Sequence, residues 1–164
     1  MKNFQHPTEL LAHVGQTIAV SDWLSITQAH INGFADATGD QQWIHVNLEK
    51  AAAGPFGCTV AHGFLTLALL PQFFATALHI EGIRMAVNYG LNRVRFPAPV
   101  PVGSRLRGHL KLLECTPLAV LDTTASTSLG MHAGGLQMAW EITTEREGSS
   151  KPVCIAESLV RYYF

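Results

Sequence analysis

The 164-residue sequence predicts an α+β fold in which one long central helix is wrapped by a curved antiparallel β-sheet. Two observations carry that expectation. Residues 62–78 are apolar on nearly every side, with Phe64, Leu65, Leu67, Leu70, Phe73 and Phe74 spread around the helix, and such a helix must be enclosed by other elements. Beyond residue 84 the pattern changes to alternating or β-branched stretches at 84–96, 105–115, 118–129, 135–145 and 152–163, with no helical run between them. Their order suggests an antiparallel meander of long strands.

The remaining elements follow from local chemistry. Residues 8–14 read as a short helix leading to Gly15, and 16–21 as a strand. Ser25 or Thr27 caps a helix that runs to about Thr38, because Ile26, His30, Ile31 and Phe34 fall at helical spacing, and Gly39 ends it. Next comes an irregular stretch, holding at most a short helix around 48–53 before the break Gly54-Pro55-Phe56-Gly57. Pro71 inside the apolar run kinks or interrupts the central helix. Turns are expected at 97–103, at Thr116-Pro117, at Gly130 and at 147–150; the first, PAPVPVG, reads as a stiff turn between two strands.

Composition bounds the function. The chain is long enough for one well-buried domain, taken as residues 1–164. Charged residues are 14% of the chain, against roughly a quarter in an average soluble protein, and the mean hydropathy is +0.18. So little charge coats a monomer poorly, which points to a buried subunit interface and a homodimer or higher assembly. A membrane span is not expected, since the apolar run at 64–77 is interrupted by Thr66, Pro71, Gln72 and Thr76 and is shorter than the ~20 residues required. Eleven basic and twelve acidic residues form no basic stripe, which argues against nucleic acid. No apolar signal core opens the chain, so a cytoplasmic protein is expected. Cys58, Cys115 and Cys154 lack CxxC spacing and read as ordinary buried thiols.

The chemistry should lie at 34–64. Asp40 follows Thr38-Gly39, where an aspartate commonly bonds its own backbone, but His45 stands five residues on, across Trp43 and Ile44. Two polar side chains flanking apolar neighbours in a short loop can point at one cavity, and a carboxylate orients and tunes an imidazole for proton transfer. Asp36, a turn earlier, is expected to face solvent. Gly63, opening the central helix, either exposes backbone N–H groups to a ligand or permits close packing. His62 reads as a residue that caps or packs against the loop. A metal is not expected at Asp40, His45 and His62, whose spacing matches no zinc motif and has no helical i, i+4 histidine pair. Neither a G-x-S-x-G elbow nor a phosphate-binding glycine loop occurs.

The segments FADATGDQQWIHV at 34–46 and GPFGCTVAHGFL at 54–65 resemble the hydratase motif of MaoC-like hot-dog proteins, the (R)-specific enoyl-CoA hydratases. With NYGLNRVRFPAPVPVG at 88–103, the wording is most similar to the nodulation-protein-N-like branch. The resemblance covers nearly the whole chain. It implies a hot-dog fold, a dimer, Asp40 and His45 as catalytic pair, and the Gly63 N–H as holder of the thioester oxygen. The implied reaction, within fatty acid metabolism, is reversible hydration of a trans-2-enoyl-CoA to a (3R)-3-hydroxyacyl-CoA. It needs no cofactor, because coenzyme A enters as part of the substrate. One departure stands out: the family commonly carries Asn-Pro where this chain has Gln42-Trp43, so these two become supporting residues that shape the pocket. Arg93, Arg95, Arg105 and Arg107 are either phosphate partners for coenzyme A or ordinary surface arginines. A non-catalytic acyl-thioester binding module and a thioesterase are the alternatives on the same fold.

Overall fold

The computed structural model describes residues 1–118 and 135–164. In chain order it contains β1 (Lys2–Phe4), a 3-10 helix (Pro7–His13), β2 (Thr17–Val20), β3 (Leu24–Ser25), α1 (Gln28–Thr38), α2 (Trp43–Val46) and α3 (Leu48–Ala52). There follow α4 (Gly63–Ala68), α5 (Leu70–Ala77), β4 (Leu78–Ile80), β5 (Met85–Arg95), β6 (Arg105–Leu118), β7 (Gly135–Arg146) and β8 (Cys154–Tyr163). The α+β architecture is as expected, with α4 and α5 as the central helix against an antiparallel sheet ordered β2-β6-β7-β8-β5, while β3 extends the β2 edge by pairing with β6.

Local signals set the helix ends. Thr27 accepts the His30 N–H, and the His30 ring accepts the Thr27 N–H in return, a reciprocal cap at the start of α1. At the other end Gly39 takes the left-handed conformation, φ +77°, and its N–H reaches the Ala35 carbonyl. The central helix breaks at Leu69, beside Pro71, whose ring nitrogen can donate no hydrogen bond.

The β-strands depart from a simple meander. β6, β7 and β8 are sequential neighbours, but β5 pairs with β8 at the far edge instead of with β6. Segment 97–103 is therefore a crossing strap, tied to the helical layer by a bridge between Val60 and Pro101, and not a turn between neighbouring strands. β6 also runs through the expected Thr116-Pro117 turn, with Pro117 opposite Leu136. Proline is tolerated there because β2 and β3 pair only with residues 105–111 of β6, so at Pro117 the other edge of β6 needs no donor. Beyond Leu118, the strand expected at 118–129 and the Gly130 turn lie outside the described residues. Three short strands have no counterpart in the sequence expectations: β3, and β1 and β4, which pair in parallel and staple residues 2–4 to the end of α5.

The core lies between the central helix and one sheet face. Leu106, Leu110 and Leu112 of β6 point inward while Arg107, His109 and Lys111 alternate outward. Phe73 is 1% exposed and lies so close to Gly108 that a Cβ at that position would sit 3.0 Å from its ring. That glycine lets the helix approach the sheet. On the outer face Glu145 accepts bonds from Arg107 at 2.7 Å and His109 at 2.6 Å, and these two donors, Arg107 first, hold its carboxyl below the usual carboxylate range. Cys154 is buried as expected, whereas Cys58 and Cys115 are only half-buried. No helix among the described residues is long and apolar enough to cross a membrane.

The central helix is less enclosed than its sequence demands. Phe64 is 69% exposed, and the neighbouring edge strand β5 exposes Met85, Val87, Tyr89 and Leu91.

Removing the Phe73 ring should empty the helix–sheet contact. Phe73→Ala is expected to destabilise the fold by about 3–5 kcal/mol, read as a lower urea midpoint at unchanged slope. Alkaline pH should act through buried acids. Burial pushes the Cys154 thiol up to about 11, from 9.0, and also raises the Tyr162 hydroxyl. A proton held longer in the folded state gives stability that is intact below the unfolded value and is lost as pH rises toward the folded one. Denaturant stability should therefore fall between about pH 9 and 11, the window that the Cys154 thiol sets, and Cys154→Ala should flatten that fall.

Candidate active site

The helical layer between α1 and α4 builds the site. Gly39 turns the chain out of α1 and delivers Asp40, whose side chain is 55% exposed and, among the described residues, accepts only a long, 3.4 Å bond from the Gln42 N–H. Residues 43–46 then close one helical turn, α2, inside the stretch expected to be irregular. That turn carries His45 inward to 7% exposure.

His45 is fixed on both its ring and its backbone. Its Nδ1 lies 2.6 Å from the Val60 carbonyl, and a carbonyl only accepts, so Nδ1 carries the proton. In the neutral ring the lone pair is then on Nε2, the atom free for proton transfer. The Val60 N–H returns a bond to the Ile44 carbonyl at 3.0 Å. Gln28, in the first turn of α1, donates to the His45 carbonyl at 2.8 Å and accepts from the Thr59 hydroxyl at 2.5 Å. Thus α1, α2 and the loop before α4 meet at one imidazole.

His62 is the third member of the cluster. It is 2% exposed, its ring stacks on His45 at 3.7 Å between centroids and 24° between planes, and its Nε2–H donates to the Asp40 carbonyl at 2.9 Å. Phe34 of α1 covers it from another side at 5.0 Å. The side chain makes no cap bond to α4, so of the two expected roles, capping and packing, the packing one is what it has. Its Nδ1 is buried without a partner among the described residues.

Asp40, His45 and His62 each offer one ligand atom within 4.8 Å of the others. The stack nonetheless fits a metal poorly, because imidazole lone pairs lie in the ring planes and two nearly parallel rings converge only far from either nitrogen.

Gly63 opens α4, and the first N–H groups of a helix have no partner within it. Its missing side chain has a packing cause, since a Cβ there would come 2.9 Å from the Phe96 ring. Trp43 likewise lies on Gly54, where a Cβ would meet the indole at 2.9 Å, so the glycine break at 54–57 seats this ring. Gln42 is exposed and its side chain makes no hydrogen bond to the described residues; Gln41 instead bonds Asp36, which is exposed as expected, at 2.9 Å. Arg105 and Arg107 are paired with Glu147 and Glu145. Arg93 and Arg95 lie exposed on β5.

Sequence reasoning missed Gln28, Thr59 and Val60. A glutamine in a first helical turn reads as solvent-facing, and a backbone carbonyl has no sequence signature. The one available signal was the polar Thr59 between Cys58 and Val60, in a segment too short to show a period.

Comparison with known proteins gives this geometry its context. The family described as MaoC like domain matches residues 9–129. The 3-hydroxyacyl-thioester dehydratase Z of Mycobacterium tuberculosis is 50% identical over 162 residues, 99% of each chain. Nodulation protein N of Rhizobium leguminosarum bv. viciae is 42% identical over 147 residues, 88% of this chain and 83% of that protein. Among solved structures, the R-hydratase PhaJ1 from Pseudomonas aeruginosa superimposes with a TM-score of 0.61 at 26% identity, over 90% of this chain and 79% of that one. The MaoC-like dehydratase from Rhodospirillum rubrum gives 0.67 at 19% identity, over 92% of both, a likeness of fold alone. The chain has the hot-dog fold of these proteins and belongs to the MaoC-like dehydratase family.

Proposed function

We propose that the chain is a 3-hydroxyacyl-thioester dehydratase, acting reversibly on coenzyme A thioesters, so that in the hydration direction a trans-2-enoyl-CoA becomes a (3R)-3-hydroxyacyl-CoA. The observation that carries this reading is the tethered His45: with Nδ1–H committed to Val60, its Nε2 is the basic atom beside the Asp40 carboxylate. The names of the relatives point the same way, one a 3-hydroxyacyl-thioester dehydratase and one an R-hydratase.

In this mechanism Asp40 and His45 hold one water between them. One group takes a proton from the water as its oxygen bonds to C3, and a proton is delivered to C2, so water adds across the double bond with no other reactant. The thioester oxygen gains negative charge between these events and is held by the Gly63 N–H. A preorganised donor of this kind is worth roughly 3 kcal/mol in measured cases. Asp40 and His45 carry the two proton transfers jointly.

The acyl chain is proposed to extend from the site toward apolar cavities along α5, which Asp40, His45 and Gly63 do not themselves line. A cavity of about 360 Å³ between α5 and the sheet is lined by Phe74, Leu78, Ile80, Ile83 and Val160, and it adjoins one of about 380 Å³ that shares Pro71, Phe74 and Asn88. Volumes of this size suit small-molecule ligands. Trp43 and Phe56 flank the approach to the helical layer, and of the four arginines considered, Arg93 and Arg95 make no ion pair among the described residues and are proposed to meet coenzyme A phosphates.

The protein is further proposed to be a homodimer joined along β5. Its outer edge ends the sheet, and its apolar residues are exposed together with Phe64, which supports a self-complementary interface.

Purified protein should remove the enoyl absorbance of crotonyl-CoA and yield the (R) alcohol. Asp40→Asn and His45→Gln should each lower that rate by on the order of 100- to 10,000-fold while melting like the parent; full activity in either rules the mechanism out. Release of free coenzyme A would instead indicate a thioesterase, and binding without turnover a carrier module. In size-exclusion chromatography the parent should run as a dimer and Leu91→Glu as a monomer.

A further inference from the structure

We propose that His62 is a positioning residue of the catalytic pair, setting the plane of the His45 ring and the place of the Asp40 main chain together; this rests on the proposed roles of Asp40 and His45. Three observations carry it. The first is that His62 touches both partners, stacking on His45 at 3.7 Å and donating to the Asp40 carbonyl at 2.9 Å. The Val60 bond fixes one atom of the His45 ring but leaves rotation about that direction, which the stack removes.

The second is how loosely Asp40 is otherwise held. Its N–H reaches Thr38 at 3.4 Å and its carboxylate reaches the Gln42 N–H at 3.4 Å, both at the long limit for hydrogen bonds. The short bond to this residue among the described ones comes from His62. Its Nε2 also lies 4.0 Å from the Asp40 carboxylate, so the same ring sets the distance between the two acid–base partners.

The third is the polar cost of the side chain. Packing between Phe34 and His45 would be satisfied by an apolar ring, yet an imidazole stands there, 2% exposed, with Nδ1 unpartnered among the described residues. Buried polar atoms without partners are rare and costly. What the imidazole supplies beyond packing is the Nε2–H bond to Asp40. The titratable groups that face it are Asp40, from the loop after α1, and His45, from α2; Phe34 of α1 presents only an apolar ring. His62 is joined directly to Gly63, so one residue sets the positions of all three proposed catalytic elements.

Two substitutions separate its contacts. His62→Phe keeps a ring against His45 and removes the donor; His62→Gln keeps a donor of similar reach and removes the ring. In crotonyl-CoA hydration each should lower kcat by on the order of 100-fold with KM nearly unchanged, as expected when reacting groups are misplaced by about an ångström. Thermal melts and acyl-CoA binding should match the parent. Added to Asp40→Asn, His62→Phe should cost much less than it does alone, since the two act as a unit. Parent-like kcat in His62→Phe overturns the inference, as does a loss equal in the parent and Asp40→Asn backgrounds. If His62→Phe does not fold, the same comparison with His62→Gln decides. Absence of hydration by the unaltered protein overturns the underlying function, and this inference with it.

Discussion

The hydrogen bond from His45 Nδ1 to the Val60 carbonyl, 2.6 Å long, is the contact on which the candidate site depends. It fixes which ring nitrogen is protonated and joins two segments that lie fifteen residues apart in sequence. The return bond from the Val60 N–H to Ile44 makes the tie reciprocal. Gln28 and Thr59 then lock the same junction from α1, so any movement of the loop before α4 moves the imidazole as well. A proton-transfer group needs this kind of support, because its rate contribution depends on geometry held before the reaction begins.

The fold supplies the frame for that junction. Close contact between Phe73 and Gly108 sets α5 on the sheet, and α4 follows from it across the break at Pro71. The strap at 97–103 crosses beneath, with the Ala61 N–H bonded to the Val100 carbonyl and the Val60–Pro101 bridge beside it. The loop that holds His45 is thereby anchored to the strap and to the helix alike. Phe96, at the start of the strap, occupies the space that a side chain at position 63 would need. The glycine at the helix start is thus required by packing against Phe96.

What could be read from the sequence was what local chemistry decides. Thr27 as a cap, Gly39 as a stop and Pro71 as a break each act within one helical turn, and each appears in the structure where the residue type demands. The all-round apolar run and the alternating strands gave the fold class for the same reason. The pairing of β5 with β8 was not legible, because alternation specifies which face of a strand is buried and not which strand lies beside it. Pro117 misled, since its effect depends on whether an edge is paired, a property of the whole sheet. In the site, Asp40 and His45 were singled out by spacing, and the structure brings them together with His62. The tether at Val60 and the clamp at Gln28 were invisible, because one partner is a backbone carbonyl and the other lies on a separate helix. Gln42, expected as a supporting residue of the pocket, is exposed, and α2 closes without a side-chain bond from it.

In the proposed mechanism one thioester spans the site, its oxygen on Gly63 and its C3 facing Asp40 and His45. A crystal structure of Asp40→Asn with crotonyl-CoA bound tests it most directly. The thioester oxygen should lie within hydrogen-bond distance of the Gly63 N–H, with C3 turned toward residue 40 and His45 Nε2 and the acyl chain running along α5. A thioester bound elsewhere, or one whose C3 faces away from His45, would contradict it.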